Sequence, residues 1–271
     1  MFLAEGMESP DVLFFAGGEV LLLAASTRCF PDVSLQKSME QLAELEYTNI
    51  ELQLHESGPF RPSEVAAEPA RALIACRPPQ RLTVIACSVD LEIPPDEEYY
   101  RRFQACCRLS RSLVAGVVTV RASVLGTPFN EEIERLRRLV SLTAPLGLAL
   151  GLLTETGRMT ERTDTALALC EHVPGLMLTL DPSYFLYGPR SGTSYDPLLP
   201  YVCHVRLRDT SKDRFQVRIG QGIVEYGRLI QMLEKHQYRR ALCADFAPMT
   251  DIDQNAELRK MRLLLESQLK S

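Results

Sequence analysis

Three carboxylates lie at or near the ends of short apolar runs. Glu155 closes GLALGLLTE (147–155), Asp181 closes GLMLTLD (175–181), and Asp245 lies near the end of RALCADF (240–246). Acids brought together away from water repel, so a divalent cation, an arginine or a proton has to compensate them. Compensated in that way, they can bind a metal or move protons on carbon. The plainer alternative is that each acid caps the helix that follows it, as Asp181 before Pro182 suggests. Cationic and phenolic side chains hold comparable positions. Arg28 follows VLLLAAS (20–26), His55 follows NIELQL (49–54), Arg121 lies in GVVTVRA (116–122), and Tyr184 comes three residues after Asp181. His204, Arg206 and Arg208 alternate along YVCHVRLRD (201–209). Arg28, Arg121 and Arg208 are candidates to grip a carboxylate or phosphate through paired hydrogen bonds. The competing use of each is a salt bridge to a neighbouring acid.

The elements that would position these residues form a regular series. Apolar runs at 20–26, 49–54, 82–89, 116–122, 147–155, 175–181, 201–209 and 240–246 read as strands. Between them, helical spacing is read at 34–46 with Ser34 as N-cap, from Pro62 to about Cys76, around 96–112, at 130–144 with Asn130 as cap, and from Thr160 to His172. After the sixth strand a Pro/Gly/Ser-rich loop (182–200) holds at most a short helix, and helices at 224–236 and 253–268 complete the pattern. Continuous apolar strands belong in a sheet covered on both faces. Eight βα units in strict alternation favour a closed barrel over the alternative, an open doubly wound sheet, and predict one α/β domain, a (β/α)8 TIM barrel over 20–271, preceded by a leader segment (1–19) packed on the barrel. Such a barrel carries its chemistry at the C-terminal ends of its strands, where the residues above lie.

Composition narrows the function classes. A formal net charge of -5 argues against a nucleic-acid groove, which needs a basic face. The apolar stretch 12–25 is broken by Gly17, Gly18 and Glu19, too short and interrupted to span a bilayer, and no basic segment precedes it. No membrane or nucleic-acid partner is expected, and a cytoplasmic setting is. The eight cysteines lack zinc-finger spacing and mostly sit in apolar runs, as buried free thiols in a reducing compartment do. The GQG segment (220–222) is not a phosphate fingerprint and reads as a tight loop.

LTLDPSYF, HVRLRDT, VRIGQGIVEYGRLI and STRCFPDVSLQKSMEQLAELEYTNIEL resemble the xylose isomerase-like TIM-barrel superfamily over roughly residues 20–265. That superfamily includes sugar isomerases and epimerases, inosose dehydratases and endonuclease IV-type proteins. The resemblance implies one divalent metal (Mn, Mg, Co or Zn) with ligands from strands five to eight. Glu155, Asp181 and Asp245 match three of them. The second histidine of a typical HxH pair is replaced by Arg206, and a histidine often found three residues after the strand-six aspartate is replaced by Tyr184. A guanidinium has no lone pair to offer a metal. Either the metal is absent, with Arg206 pairing Glu155 and Asp181 in its stead, or His204 donates; His204 lies one layer away on the same face and reads more readily as a core residue.

The activity so implied is sugar or sugar-phosphate isomerisation or epimerisation by proton transfer beside a carbonyl. Glu155 and Asp245 would be the catalytic pair, with Arg28, His55, Arg121, Tyr184, Arg206 and Arg208 binding the small carbohydrate. The rival is a catalytically degenerate barrel that binds a sugar-like ligand or a protein partner without a metal. Nucleic-acid hydrolysis of the endonuclease IV type is the least favoured: the chain has four histidines, His55, His172, His204 and His236, too few for that site.

Overall fold

The computed structural model describes residues 21–270. The expected leader, 1–19, lies outside the described residues. Eight parallel strands close into a barrel in sequential order: β1 (Leu22–Ser26), β2 (Asn49–His55), β3 (Thr83–Asp90), β4 (Val117–Arg121), β5 (Ala149–Leu153), β6 (Leu176–Leu180), β7 (Val202–Leu207) and β8 (Ala241–Ala244). β8 pairs with β1 through Leu22↔Ala241 to Ala25↔Ala244, which removes both sheet edges. The alternating-layer expectation therefore holds: this is a single (β/α)8 barrel. Among the described residues no helix is long and apolar enough to cross a membrane.

Strand alternation builds two cores. Leu52, Leu54, Val118, Val120, Leu150, Leu152, Leu178, Leu180, Val205 and Leu207 face out and join the large cluster shared with the helices. Ala24, Ala86, Val117, Ala149, Cys203, Ala241 and Cys243 form a smaller cluster of modest side chains inside. Above it the interior is polar: Ser26, Glu51, Ser88, Thr119, Thr179, His204 and Arg206 are all buried. Gly151 on β5 is required by this filling, since a Cβ there would lie 2.3 Å from Thr179 Oγ1 and 3.1 Å from Cys203 Sγ. All eight cysteines are free and buried.

The outer helices are α1 (Leu35–Glu44), α2 (Pro62–Ala67), α3 (Pro69–Ala75), α4 (Glu97–Ser112), α5 (Phe129–Thr143), α6 (Thr163–His172), α7 (Ser183–Leu186), α8 (Tyr226–Lys235) and α9 (Gln254–Leu269). Ser34 caps α1, its hydroxyl accepting from Lys37 N at 3.3 Å. Three local expectations are corrected. The helix expected from Pro62 to Cys76 is two, because Pro69 cannot donate to the ladder and moves Glu68 out of the helical region (φ -132°, ψ 70°). Asn130 is not a cap: α5 starts at Phe129 and Pro128 takes the N-cap place with no side-chain bond. Thr160 does not start α6 but sits in a 3-10 turn, Met159–Glu161. Its hydroxyl donates to Leu153 O at 2.7 Å and accepts from Glu155 N at 3.3 Å, so it braces the end of β5 that carries Glu155.

Candidate functional site

Asp245 follows β8 and is fully buried. Its amide is fixed by Leu207 O of β7 at 2.9 Å. Arg28, in the 3-10 turn after β1, clasps it with two parallel bonds, Nε to Oδ1 at 2.7 Å and Nη2 to Oδ2 at 2.8 Å. Arg206 Nε and Arg208 Nη2 each stand 3.6 Å from the same Oδ2. Burial alone would raise the pKa of this carboxyl, but the guanidiniums of Arg28, Arg206 and Arg208 outweigh it and hold Asp245 well below the usual carboxylate range.

Asp181 is likewise inaccessible. Its Oδ2 accepts from Arg208 Nε at 3.1 Å and Nη2 at 2.7 Å, while Oδ1 accepts from Ser183 N at 3.0 Å. The same side chain thus receives the first amide of α7 and pairs with Arg208, while Pro182 holds the N-cap place. Arg206 does not pair with Glu155 and Asp181 as expected of it. It turns to Glu51 of β2, with Nε at 3.2 and 3.0 Å from the two carboxylate oxygens and Nη2 at 2.7 Å from Oε1. Arg206 is the register partner of Cys243 on β8, and the two-residue period of β7 places Arg208 one layer higher, where its guanidinium reaches Asp181. His204 lies deeper again, 1% exposed, with Nε2 3.5 Å from Glu51 Oε1. Burial would raise the Glu51 carboxyl, and Arg206 with His204 brings it below its ordinary value instead.

The other side of the mouth is a second chain of contacts. Arg121, the last residue of β4, grips Glu155 with Nε on Oε2 at 2.8 Å and Nη2 on Oε1 at 2.6 Å. Its Nη1 donates to Asp90 Oδ2 at 3.1 Å, and His55 Nε2 meets that oxygen at 3.2 Å. His55 and Asp90 are register partners across β2 and β3. Burial raises the Asp90 carboxyl, but His55 and Arg121 bring it down to about 2. The hydrogen bond to Asp90 raises His55 in turn, against partial burial. Arg158 approaches Glu155 Oε2 at 3.8 Å and donates to Ala122 O. A cleft of about 260 Å³ opens on this side, lined by Asp90, Glu92, Tyr99, Arg121, Ser123 and Arg158 among others.

Tyr184 sits on α7, ring to ring with Phe215 at 4.7 Å, and Arg208 lies over the same phenylalanine at 4.6 Å. Burial pushes its phenol up to about 12, so it is a neutral hydroxyl at ordinary pH. The GQG loop is braced from below. Asp209 Oδ2 accepts from Gly220 N at 2.8 Å and Gly222 N at 3.0 Å, and a Cβ on Gly222 would meet Asp209 Oδ1 at 1.9 Å. Asp90, Glu51, Arg158 and Asp209 were not selected from the sequence as site residues. For Asp90 a signal existed, an acid ending the strand beside the one that ends in His55. For Glu51 and Arg206 the signal is a charge of each sign in otherwise apolar strands.

The oxygens of the strand-end acids are therefore already committed: both of Glu155 to Arg121, both of Asp245 to Arg28, and those of Asp181 to Arg208 and Ser183 N. Arg206 and Arg208 have no lone pair to donate. In this arrangement the set Glu155, Asp181 and Asp245 does not fit a divalent ion. The three-ligand group whose donor atoms do converge among the described residues, within 4.8 Å, is Glu51, His204 and Cys243, all buried below the mouth. These are donor types a zinc-like ion uses. Against that, Arg206 holds both Glu51 oxygens, and burial with the nearby Glu51 and Asp245 pushes the Cys243 thiol far above its ordinary range.

The profile of the xylose isomerase-like TIM barrel family matches residues 39–264. Several solved structures share the fold. A xylose isomerase domain protein from Alicyclobacillus acidocaldarius is 17% identical, with a TM-score of 0.73 over 92% of this chain and 98% of that one. A xylose isomerase-like TIM barrel protein from Mycobacterium smegmatis, solved in complex with magnesium, is 15% identical, with a TM-score of 0.71 over 93% and 97%. A 3-keto-D-glucoside 4-epimerase from E. coli is 11% identical, with a TM-score of 0.71 over 91% and 99%. No curated protein matches the sequence. The match over most of the chain and the closed eight-stranded barrel lead to one conclusion: this protein belongs to the xylose isomerase-like TIM barrel family.

Proposed function

We propose that the protein is a carbohydrate isomerase or epimerase, acting on a small sugar or sugar phosphate by moving a proton on a carbon beside a carbonyl. The observation that carries this reading is the division of labour between two strand-end acids. Glu155 retains 14% exposure of its side chain and faces the mouth, whereas Asp245 has none and is caged by three guanidiniums. A base has to reach substrate, and only the first of these acids is open to it. Glu155 is therefore the proton-transfer group, and Asp245, first expected to share that work, anchors Arg28 instead. Arg28 and Arg121, with 37% and 36% of their side chains exposed on opposite sides of the mouth, bind the carbonyl oxygen and any phosphate. Tyr184 offers a neutral hydroxyl, its ring packed on Phe215, over which Arg208 also lies. The family and its epimerase relatives accord with this chemistry.

The complete pairing of Asp181 and Asp245 favours one second reading, a barrel that binds a sugar-like anion without turnover. The two are separated by incubating the protein with a panel of aldoses, ketoses and their phosphates and following products by NMR. A new isomer or epimer supports the enzyme. Saturable binding by calorimetry with no product from any of the panel supports the binding barrel and removes the enzyme reading.

A further inference from the structure

The family fold leads to the expectation of a divalent ion among the acids that end β5, β6 and β8, and the residues present do not fit one. We propose that two arginines of β7 carry that ion's charge: Arg208 ties the sixth- and eighth-strand acids together, Arg206 supports Asp245 from below, and the mouth of the barrel excludes a metal. A single nitrogen of Arg208, Nη2, lies 2.7 Å from Asp181 Oδ2 and 3.6 Å from Asp245 Oδ2. That places it between the acids a metal would bridge. Arg206 stands 3.6 Å from the same Asp245 oxygen while held on Glu51.

Charge balance gives the reason for exclusion. On this side of the mouth three carboxylates, Glu51, Asp181 and Asp245, meet three guanidiniums, Arg28, Arg206 and Arg208. On the other, Asp90 and Glu155 meet Arg121 and Arg158, and His55 lies between Asp90 and Glu92. A divalent ion would add two charges to a buried cluster that is already neutral. It would also break charge-assisted hydrogen bonds that offset the cost of burying these groups. A guanidinium, unlike a metal, cannot be chelated or exchanged, and it stays protonated throughout the ordinary pH range.

This inference does not rest on the catalytic reading, because metal content is read without turnover. The wild-type protein is expressed in medium supplemented with Mn, Mg, Co and Zn, and its metal is counted by mass spectrometry. Cobalt(II) is then titrated into the metal-stripped protein and visible absorption recorded. The expected results are substoichiometric metal, no ligand-field band and no change of Tm with a chelator. A stoichiometric ion in the wild type overturns the proposal. The variant Arg206→His with Arg208→Gln removes both charges and supplies an imidazole on β7; it is expected to bind one cobalt ion per chain. If that variant folds, as judged by circular dichroism, and still binds no cobalt, the arginines are not what excludes the metal. Should it fail to fold, adding Glu51→Gln removes the buried acid that Arg206 leaves unpaired, and the same titration decides.

Discussion

At the scale of single residues, the positions of the acids were legible and their partners were not. An acid that ends an apolar run is placed at a strand end by the run itself, which is why Glu155 and Asp181 could be located without coordinates and Asp245 nearly so. Arg28 and Asp245 are 217 residues apart, and nothing local announces their contact. The sequence expectation for Arg206 failed for a related reason: which layer of the barrel a β7 side chain serves depends on the height of its neighbours on β2, β6 and β8. The His55–Asp90 pair gives a prediction at this scale. Asp90 is brought from 3.8 down to about 2, so its contribution to stability is complete above the unfolded value and fades as pH falls through about 2. His55 is raised above 6.5, so its contribution is complete below that value and is lost as pH rises through its folded one. The Tm difference between wild type and Asp90→Asn is expected to be widest between pH 3.8 and 6.5 and to narrow on both sides, with a residue at high pH from Arg121. A difference independent of pH in a thermal-shift series contradicts the pairing.

At the scale of elements, the eight strands and most helices followed from apolar periodicity, because each strand has one face on the helices and one on the barrel interior. The misplaced boundaries lie where Pro69 splits a helix, where Pro128 takes the place expected of the Asn130 cap, and where the Thr160 hydroxyl bonds back to β5. The filling of the barrel was less legible, since a glycine in an apolar strand does not say what it makes room for. Gly151 admits Thr179, whose hydroxyl shares a 2.8 Å hydrogen bond with Thr119 across β4, β5 and β6. Gly151→Ala is expected to destabilise the barrel by about 1–3 kcal/mol, the usual cost of overpacking a filled core. Denaturant unfolding measures it. A variant as stable as wild type shows that Thr179 can turn away at no cost.

At the scale of the whole molecule, the closed barrel presents one mouth ringed by paired charges of both signs, from Arg28 through His55, Asp90, Arg121 and Glu155 to Asp181, Arg208 and Asp245. The helix-covered outer core and the barrel interior together bury every cysteine, so a thiol reagent is expected to label essentially none of the eight in the native protein and all of them in denaturant. Rapid native labelling of one or more thiols contradicts the packing described. The chemistry proposed for this mouth is proton transfer on carbon through Glu155. Its most direct test is solvent exchange: candidate sugars and sugar phosphates are incubated in deuterated water with wild type and with Glu155→Gln, and the α-carbon signal is followed by NMR. Exchange by the wild type, reduced about 10²–10⁴-fold in the variant, is the predicted result. Exchange undiminished by Glu155→Gln, or no exchange of any sugar by the wild type, contradicts it.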